Sequence, residues 1–424
     1  MIKSSLSDWL EYQQGLNAIE IDLSLERVKK VFNKLNPKFP EKNIFLIAGT
    51  NGKGTTLALI ESFLIMKGIK TGAYTSPHLI DYNERVTIDR TNVSDDELIK
   101  SFEYIESIRG DIPLTYFEFG TLAAFKLLSM HDCDALLIEV GLGGRLDATN
   151  VLDSNVSIIT NIDLDHQEWL GESIEEIAFE KAGIAKQNKP LIYGDNKAET
   201  VVKEQANLKG SRLIVRDKDF SIIQEDNYFL WKGINHSIGK IKLPRHWALG
   251  EVNNLATALA ALEASDARLL PTNKELNNAL EGFSLPGRFE LIENKSLWIL
   301  DVAHNPGAAK NFRQRLSAIK LKEINTMIIS MMRDKNLEDF IGVFRDIVSN
   351  WVVCKMETDR SFTSQELEER LGLLGINDIK VTQTPYEAFK YVENLRPIRD
   401  NIVVSGSFEL VGPAKEYLSR TREN

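Results

Sequence analysis

Short apolar runs alternate along the chain with longer segments in which apolar residues recur every three or four positions. We interpret the apolar runs as strands, and the first four are Ile44–Ala48, Lys70–Tyr74, Ala135–Val140 and Val156–Thr160. The longer segments have helical spacing. Strands that alternate with helices predict βαβ units and a mainly parallel sheet.

The helix predictions rest on the same spacing and on capping boxes such as Ser94-Asp-Asp-Glu97 and Ser173-Ile-Glu-Glu176. The predicted helices cover residues 5–36 with a break at Ile19–Asp22, and then 57–67, 94–108, 115–130, 173–186, 253–263 and a segment from about Asn273. Pro77 predicts a loop over residues 75–84. Residues 211–243 contain two short β-like runs around Asp226-Asn227, which predicts a hairpin appended to the sheet.

A Pro-Gly pair in Ser284-Leu-Pro-Gly287 follows a predicted helix and is the best candidate for a domain boundary. Beyond it the alternation restarts, with strands predicted at Trp298–Val302, Met327–Ser330, Trp351–Cys354, Ile379–Val381 and Ile402–Ser405. The pattern predicts an α/β protein with an N-terminal P-loop-type domain, residues 1–284, and a smaller Rossmann-like α/β domain, residues 285–424.

Composition narrows the class of protein further. The 424 residues carry a formal charge of −10, and the acidic residues are dispersed, which argues against a general nucleic-acid surface. Cys133 and Cys354 lie far apart and have no metal-binding spacing. No apolar run approaches the ~20 residues that span a bilayer, and the N-terminus lacks the apolar core of a signal peptide. We therefore expect a soluble cytoplasmic protein that contacts neither membrane nor nucleic acid.

The first candidate site is the stretch Gly49-Thr-Asn-Gly-Lys-Gly-Thr-Thr56, which joins a predicted strand to a predicted helix. Backbone N–H groups of such a turn and the helix dipole attract phosphate, and Lys53 adds a positive charge. The hydroxyl of Thr55 is placed to bind Mg²⁺. Ile47 stands where the first glycine of a standard P-loop would be, and Gly54 separates Lys53 from Thr55. The stretch is a variant P-loop, with a plain glycine-rich turn as the alternative.

Two further side chains follow the ends of neighbouring predicted strands, where functional groups of parallel sheets gather. Glu139 ends one apolar run, and His166 lies in the loop after the next. A carboxylate and an imidazole are both plausible ligands for a second divalent cation beside the phosphates. For His166 taken alone, a hydrogen-bonded loop histidine is the plainer interpretation.

Other motifs have ordinary explanations. The run Gly141–Gly144 predicts a tight turn that permits close approach of a substrate or of the backbone. On composition alone, Glu180–Lys186 is interpreted as a solvated helix end with favourable lysines. Asp301 and His304 follow a strand but precede Pro306, so turn chemistry is an alternative to function. Arg288 either reaches a phosphate across an interdomain cleft or is a surface arginine.

Taken together, these segments closely resemble the folylpolyglutamate synthases, ATP-dependent amide ligases related to the muramyl ligases. The resemblance runs from Trp9 to about Phe408, and Leu114–Gly120 with Asp147–Asn150 is most similar to the bacterial bifunctional dihydrofolate synthase/folylpolyglutamate synthases. The other matching motifs are Gly49–Thr56, Ser76–Leu79, Glu139–Asn150, Asp165-His166, Glu180–Ile184, Leu285–Phe289, Asp301–Pro306 and Ser405–Phe408.

The resemblance implies roles for individual residues. The set implied to bind ATP is Gly49, Thr50, Asn51, Gly52, Lys53, Gly54, Thr55, Thr56, Asn254, Arg288, Asp301 and His304. The set implied to serve Mg²⁺, in two sites, is Thr55, Glu139, His166 and Lys181, of which Lys181 matches a lysine that is carbamylated in the family. The set implied for the pteroate pocket is Ser76, Pro77, His78, Thr115, Phe117, Asp147 and Ala148. Lys53, Lys181, His166 and Arg288 are the implied catalytic residues.

The activity implied is Mg·ATP-dependent joining of L-glutamate to dihydropteroate and to reduced folates through an acyl phosphate, by a monomer whose second domain closes over ATP and glutamate. Gly307 and Met331–Asp334 depart from the bifunctional pattern on the expected glutamate and nucleotide side. A synthase of folylpolyglutamates alone is the nearest alternative. A muramyl-type ligase, which usually has Thr where Gly54 stands, and a P-loop regulatory protein without ligase chemistry are more distant ones.

Overall fold

The computed structural model describes residues 4–17, 22–39, 43–394 and 401–422. The chain divides into two compact units. The first comprises Met1–Leu243 and Glu251–Glu281, and the second comprises Pro244–Gly250 and Gly282–Asn424. Within the described ranges, no helix has the length and apolarity needed to cross a membrane.

The first unit is built on an eight-stranded sheet in the order β4-β3-β2-β5-β1-β6-β7-β8. Its strands are β1 Asn43–Ala48, β2 Thr71–Tyr74, β3 Val86–Ile88, β4 Thr91–Asn92, β5 Ala135–Glu139, β6 Val156–Ile159, β7 Pro190–Tyr193 and β8 Arg212–Val215. Six strands, β2, β5, β1, β6, β7 and β8, run parallel to one another. β3 and β4 add an antiparallel edge beside β2. The mainly parallel α/β fold predicted from the alternation is confirmed.

The central strands β1, β5 and β6 are buried along nearly their whole length, as is usual for a parallel sheet covered by helices. The helices in this part of the chain are named next. They are α1 Leu6–Gln14, α2 Leu25–Leu35, α3 Lys53–Met66, α4 Asp95–Arg109, α5 Tyr116–Met130, α6 Gln167–Leu170, α7 Ile174–Ala182, α8 Glu199–Lys209, α9 Leu249–Ser265 and α10 Asn273–Glu281. The capping boxes at Ser94 and Ser173 are both formed. Of the predicted break at Ile19–Asp22, residues 19–21 lie outside the described residues.

The predicted hairpin exists, but its placement was wrong. β9 Ser221–Glu225 and β10 Tyr228–Lys232 pair around the Asp226-Asn227 turn. With β11 Ser237–Ile241 they form a separate three-stranded antiparallel sheet. The position beside β7 at the end of the large sheet belongs instead to β8. Its four residues are too few for the apolar pattern to distinguish from the hairpin that follows.

The second unit contains a six-stranded sheet in the order β12-β13-β17-β14-β15-β16, parallel except for β12. Its strands are β12 Arg288–Glu293, β13 Leu297–Asp301, β14 Ile324–Ile329, β15 Val348–Val353, β16 Ile379–Val381 and β17 Asn401–Ser405. Its helices are α11 Pro306–Ala318, α12 Leu337–Phe344, α13 Ser364–Leu373, α14 Pro385–Asn394 and α15 Phe408–Arg422. The five predicted strands are confirmed, and β12 is an additional edge strand.

The segment 244–250 completes the core of the second unit although it precedes that unit by some thirty residues in the chain. The His246 ring stacks on Phe289 with ring centroids 5.5 Å apart and planes 5° from parallel. Trp247 meets Phe283 edge to face at 5.8 Å. The main-chain oxygen of His246 accepts a hydrogen bond from Arg315 at 3.3 Å. Two separate stretches of sequence therefore build one core.

Candidate active site

The P-loop follows β1, the strand that lies between β5 and β6 near the middle of the large sheet. The loop after β6 holds its backbone: the Asn51 N–H donates to the Asn161 side chain at 2.8 Å, and the Thr50 N–H donates to the Asn161 main-chain oxygen at 3.0 Å. The Thr160 hydroxyl donates to the Asn51 oxygen at 2.6 Å. The loop is thus shaped by the polar residues that follow the neighbouring strand.

Two glycines of the loop cannot carry a side chain without displacing a neighbour. A Cβ on Gly49 would come within 1.8 Å of the Thr160 hydroxyl. Gly52, with φ of 82°, is the residue before α3, and a Cβ there would come within 2.4 Å of the Asn254 side-chain oxygen. This contact places Asn254, on α9, directly against the loop.

Lys53 and helix α3 complete the arrangement that was predicted to bind phosphate. The ammonium of Lys53 donates to the main-chain oxygens of Gly49 and Thr50 at 3.1 and 3.4 Å, so it lies over the loop. Thr55 is half-buried beside it, whereas every residue from Thr56 to Leu64 is buried. Since the middle of α3 is buried, packing holds the helix in place, and the N–H groups of its half-buried first turn point outward.

Glu139 lies beside the start of α3. It ends β5 in register with Ile47 of β1, and its side chain is 6% exposed. A Cβ on Gly54 would lie 3.7 Å from its carboxylate oxygen, an ordinary van der Waals distance. The structure therefore brings the predicted carboxylate next to the residue that separates Lys53 from Thr55.

His166 lies at the end of the loop after β6 in a left-handed conformation, with φ of 52°, directly before α6. Its N–H donates to the Asp165 carboxylate at 2.9 Å, and its Nε2 is 4.0 Å from the same carboxylate. Asp165 is nearly buried, whereas the His166 side chain is about one third exposed. The chain therefore presents this imidazole at the surface of the loop.

The described residues hold no group of three or more His, Cys, Asp or Glu side chains arranged for a metal ion. This donor set still fits Mg²⁺, which keeps several waters and is held by one or two carboxylates together with substrate phosphates. Glu139 and the Thr55 hydroxyl supply the hard oxygen atoms that such a site needs. The requirement for phosphate oxygens fits a cation that arrives with a nucleotide.

Lys181 is 4% exposed, so the alternative of a solvated helix end was wrong for this residue. It lies in the last turn of α7. The glycine-rich turn packs on that turn, because a Cβ on Gly144 would come within 3.0 Å of the main-chain oxygens of Glu180 and Lys181. Arg145 adds a hydrogen bond from its N–H to the Glu180 oxygen at 2.7 Å and an ion pair with the Glu180 carboxylate at 2.8 Å. The tight turn predicted at Gly141–Gly144 thus serves close backbone approach.

Two of the residues implied for the pteroate pocket, Phe117 and Asp147, contact the same turn. The Phe117 ring packs on Gly141, because a Cβ on Gly141 would come within 2.3 Å of that ring. Thr115 caps α5 in a capping box with Glu118. Asp147 is buried, and its carboxylate accepts hydrogen bonds from the N–H groups of Leu142 and Thr149 at 2.8 and 2.9 Å. Burial raises the pKa of Asp147 against the effect of these bonds.

Asp147 consequently organises the turn with its own side chain. Ala148, which follows it, begins a short 3₁₀ helix that ends at Val151.

Ser76, Pro77 and His78 lie in the loop after β2, as predicted from Pro77. The Ser76–Pro77 peptide bond is cis. The Nδ1 atom of His78 accepts a hydrogen bond from Arg85 at 2.9 Å. Arg85 was not singled out from the sequence. Its only sequence signal is a charged residue that directly precedes a short strand.

In the second unit, Arg288, Asp301 and His304 lie close together. Arg288 pairs with Asp301 across β12 and β13, and its guanidinium lies 5.2 Å from the centre of the Phe408 ring. The His304 ring is 6.3 Å from the same phenyl ring. Phe408 is therefore the common neighbour of two of the residues implied to bind nucleotide.

The carboxylate of Asp301 is engaged by hydrogen bonds within the second unit. Its carboxylate accepts hydrogen bonds from the N–H groups of Phe289 and Ala303, both at 2.9 Å, and lies 3.9 Å from the Arg315 guanidinium. It fixes the start of β12 and the turn after β13, which positions Arg288 and His304.

Comparisons with known proteins identify the family of this chain. A family profile described as the Mur ligase middle domain matches residues 47–262, and one described as the Mur ligase glutamate ligase domain matches residues 287–408. A dihydrofolate synthase/folylpolyglutamate synthase of Escherichia coli is 36% identical over 419 residues, which cover 99% of this chain and 97% of that protein. This chain belongs to the dihydrofolate synthase/folylpolyglutamate synthase family of Mur ligases.

Other members of the family support the assignment. The Haemophilus influenzae dihydrofolate synthase/folylpolyglutamate synthase is 34% identical over 432 residues, and the matched region covers 96% of each chain. The structure of E. coli FolC in complex with DHPP and ADP matches with a TM-score of 0.91, at 36% identity over 99% of each chain. A Yersinia pestis family enzyme complexed with AMPPNP and Mn matches with a TM-score of 0.88, at 37% identity over 98% of each chain.

Proposed function

We propose that this protein is a Mg·ATP-dependent ligase that joins L-glutamate to dihydropteroate, forming dihydrofolate, and to reduced folates, forming folylpolyglutamates. Membership of the family supports the reaction, and full-length similarity to bifunctional members supports both substrates. The single observation that carries the proposal is the Glu139 carboxylate at the start of α3, next to Gly54, the residue that follows the P-loop lysine.

The nucleotide phosphates are bound by residues 49–56, in this proposal. The N-terminal N–H groups of α3 and the Lys53 ammonium neutralise the phosphates, and Asn254 holds Gly52 in its required conformation. Thr55, Glu139, His166 and a carbamylated Lys181 are the groups that would hold Mg²⁺. Bound there, the cation would neutralise charge that develops on the transferred phosphoryl group. Arg288, Asp301 and His304 are assigned to the nucleotide by resemblance.

The chemistry follows from the weakness of a carboxylate as an electrophile. The substrate carboxylate attacks the γ-phosphorus of ATP, ADP leaves, and an acyl phosphate forms. The amine of L-glutamate then attacks the acyl carbon, phosphate leaves, and the amine loses a proton to give the amide. Lys53 stabilises the charge on the phosphoryl group in the first step. No side-chain nucleophile is needed.

The pteroate side is formed, we propose, by Ser76–His78, Thr115, Phe117, Asp147 and Ala148. Phe117 supplies an aromatic ring to this region, and Thr115 and Asp147 supply polar groups, the combination that small-molecule sites usually have. Residues 285–424 are assigned to glutamate binding. Both cysteines are buried thiols, which suits a reducing compartment. We propose a cytoplasmic monomer that acts on small molecules and not on nucleic acid.

The test is ADP release from the purified protein with Mg·ATP and L-glutamate, measured separately with dihydropteroate and with tetrahydrofolate. We expect turnover with both substrates, and none when glutamate is omitted. Lys53→Met is the matched control, because it removes the ammonium but keeps most of the side-chain volume. Turnover with tetrahydrofolate alone would leave a folylpolyglutamate synthase. Turnover with neither would overturn the proposal.

A further inference from the structure

The ring of His78 has a defined hydrogen-bonding state. Its Nδ1 atom lies 2.9 Å from Nε of Arg85. A guanidinium has only N–H donors and does not lose a proton in proteins, so Nδ1 must be the acceptor. A neutral imidazole that accepts at Nδ1 carries its proton at Nε2. Arg85 thus selects one tautomer of His78.

Arg85 is itself held firmly. It is 8% exposed, and its guanidinium lies 5.1 Å from the ring centre of Tyr82 and 5.8 Å from that of Tyr116. Its main-chain oxygen accepts a hydrogen bond from the Thr75 N–H at 2.9 Å. Rings that stack on a guanidinium restrict its orientation. The donor that faces His78 is therefore fixed by packing as well as by the hydrogen bond.

Glu84 holds the backbone of the loop that carries His78. The Glu84 carboxylate accepts hydrogen bonds from the N–H groups of Leu79, Ile80 and Asp81 at 2.7, 2.9 and 3.0 Å. Backbone and side chain of the His78 region are consequently both positioned by the short 3₁₀ helix Tyr82–Arg85. Within the described residues, no hydrogen bond is made by Nε2 of His78, which is half-buried.

The electrostatic surroundings keep the imidazole neutral. Burial, followed by the nearby Arg85 charge, lowers the pKa of His78 to about 4, with Glu84 acting in the opposite direction. Burial raises the pKa of Tyr82 and of Tyr116, so neither phenol carries a charge near neutral pH. Glu84 is the nearby carboxylate, and its oxygens are engaged by the loop.

We propose that Arg85 is a positioning residue that fixes His78 as a neutral Nε2–H donor toward an acceptor oxygen of the pteroate or folate substrate. In this role His78 binds and orients the substrate and does not take a proton from it. The substrate half of the inference rests on the proposed function, which places His78 on the pteroate side. The half that concerns Arg85 and His78 stands on the geometry alone.

The first experiment is ¹⁵N–¹H correlation NMR of the histidine rings of the whole protein near pH 7. The chain has six histidines, so the His78 signals are assigned by their loss in His78→Gln. We expect the neutral Nε2–H tautomer in the wild type. Arg85→Met keeps an apolar stem against the tyrosines and should give a mixture of tautomers. Arg90→Met is the matched control, because Arg90 pairs with Glu61 at 3.2 Å and should leave the His78 signals unchanged.

The second experiment compares KM and kcat for dihydropteroate. The amide nitrogen of glutamine can replace an Nε2–H donor but cannot accept a proton at that atom. His78→Gln should therefore stay within about threefold of the wild type, whereas His78→Ala should raise KM about tenfold, as the loss of one hydrogen bond predicts. Arg85→Met should also raise KM, because part of the His78 population would then adopt the tautomer that has no proton on Nε2.

A His78 that carries its proton at Nδ1, is protonated near pH 7, or is unchanged in Arg85→Met would overturn the positioning role. His78→Gln as impaired as His78→Ala would overturn the donor role. If Arg85→Met does not fold by circular dichroism, Arg85→Lys takes its place, and its ammonium should retain the wild-type tautomer. A wild type that does not turn over dihydropteroate removes the proposed function and the substrate half, while the NMR result still decides the role of Arg85.

Discussion

The side chain of Asn254 lies directly against the backbone of Gly52, where a Cβ would come within 2.4 Å of the amide oxygen. Gly52→Ala should therefore weaken ATP binding at least tenfold, because the methyl group must displace either Asn254 or the loop. Isothermal titration calorimetry with ATP or ADP measures this. Gly68→Ala is the matched control: Gly68 has a similar φ of 73°, but no atom lies within 4 Å of its Cβ position.

The control isolates the contact from backbone strain. Both substitutions place alanine at positive φ, which costs about 1–2 kcal/mol of stability, but only Gly52→Ala should lose affinity. Adding Asn254→Ala to Gly52→Ala removes the clashing amide, so the double variant should lose less ATP affinity than the two single variants lose in sum. Equal affinity in the two glycine variants would show that Asn254 does not constrain the loop.

Glu139→Gln should raise the Mg²⁺ concentration for half-maximal activity about tenfold or more, because an amide lacks the charge that binds a hard cation. The fold should persist, since the two side chains have the same shape. Activity measured against Mg²⁺ at fixed ATP gives the result. His166→Ala should shift the same titration, whereas Glu97→Gln, at an exposed helix cap, should not. A titration unaltered in Glu139→Gln would remove it from the metal site.

Lys181→Ala should abolish turnover with a modest loss of stability, because the side chain is buried yet interpreted as functional. If the lysine acts as a carbamate, acetate added to Lys181→Ala should restore part of the activity by supplying a carboxylate in the vacated space. Lys181→Met fills that space and should not respond to acetate. Unchanged turnover in Lys181→Ala would exclude the residue from the site.

Lys186 should make the stability of the protein depend on pH above neutrality. Burial lowers its pKa to about 8, and its ammonium donates to the Asn150 main-chain and side-chain oxygens at 3.0 and 2.9 Å. Between about pH 8 and the unfolded value of 10.5, the unfolded chain binds more protons than the folded one, so this group makes stability rise with pH. The rise is on the order of 1–3 kcal/mol.

Thermal unfolding of the wild type and of Lys186→Met, compared from pH 7.5 to 9.5, measures this effect. As the pH rises, the Tm of the wild type should increase relative to the Tm of Lys186→Met. Lys203→Met, at an exposed lysine of α8, should show the same pH dependence of Tm as the wild type. A Tm difference that does not vary with pH would contradict the predicted titration of Lys186.

The sequence predicted the parts of this fold that depend on local patterns. Apolar runs identified β1, β2, β5 and β6 of the large sheet and β13 to β17 of the second sheet, but not β7 or β8. Capping boxes placed the starts of α4 and α7, because caps are made by residues three positions apart. The edge strand β12 was missed, because it alternates buried and exposed residues just after a Pro-Gly turn and has no apolar run. The hairpin was recognised from its turn, but which sheet it joins depends on contacts distant in sequence.

The candidate site was predictable to a similar extent. The P-loop and the strand-end position of Glu139 follow from parallel topology, so the residues themselves indicated them. The burial of Lys181 could not be predicted, because it results from a glycine turn some forty residues earlier that packs on the end of α7. Asn254 and Lys181 were assigned by resemblance alone. Arg85 was missed because only the folded loop brings it to His78.

The stack of His246 on Phe289 has a consequence for dividing this protein into pieces. A C-terminal fragment that begins at Gly282 would lack the segment 244–250. It would therefore expose the face of the Phe289 ring on which His246 stacks. We expect such a fragment to be aggregation-prone, and a synthetic peptide of residues 244–250 to improve its solubility. The second unit is therefore assembled from two stretches of chain, and it cannot be produced whole from one uninterrupted piece of the gene unless the intervening helices are included.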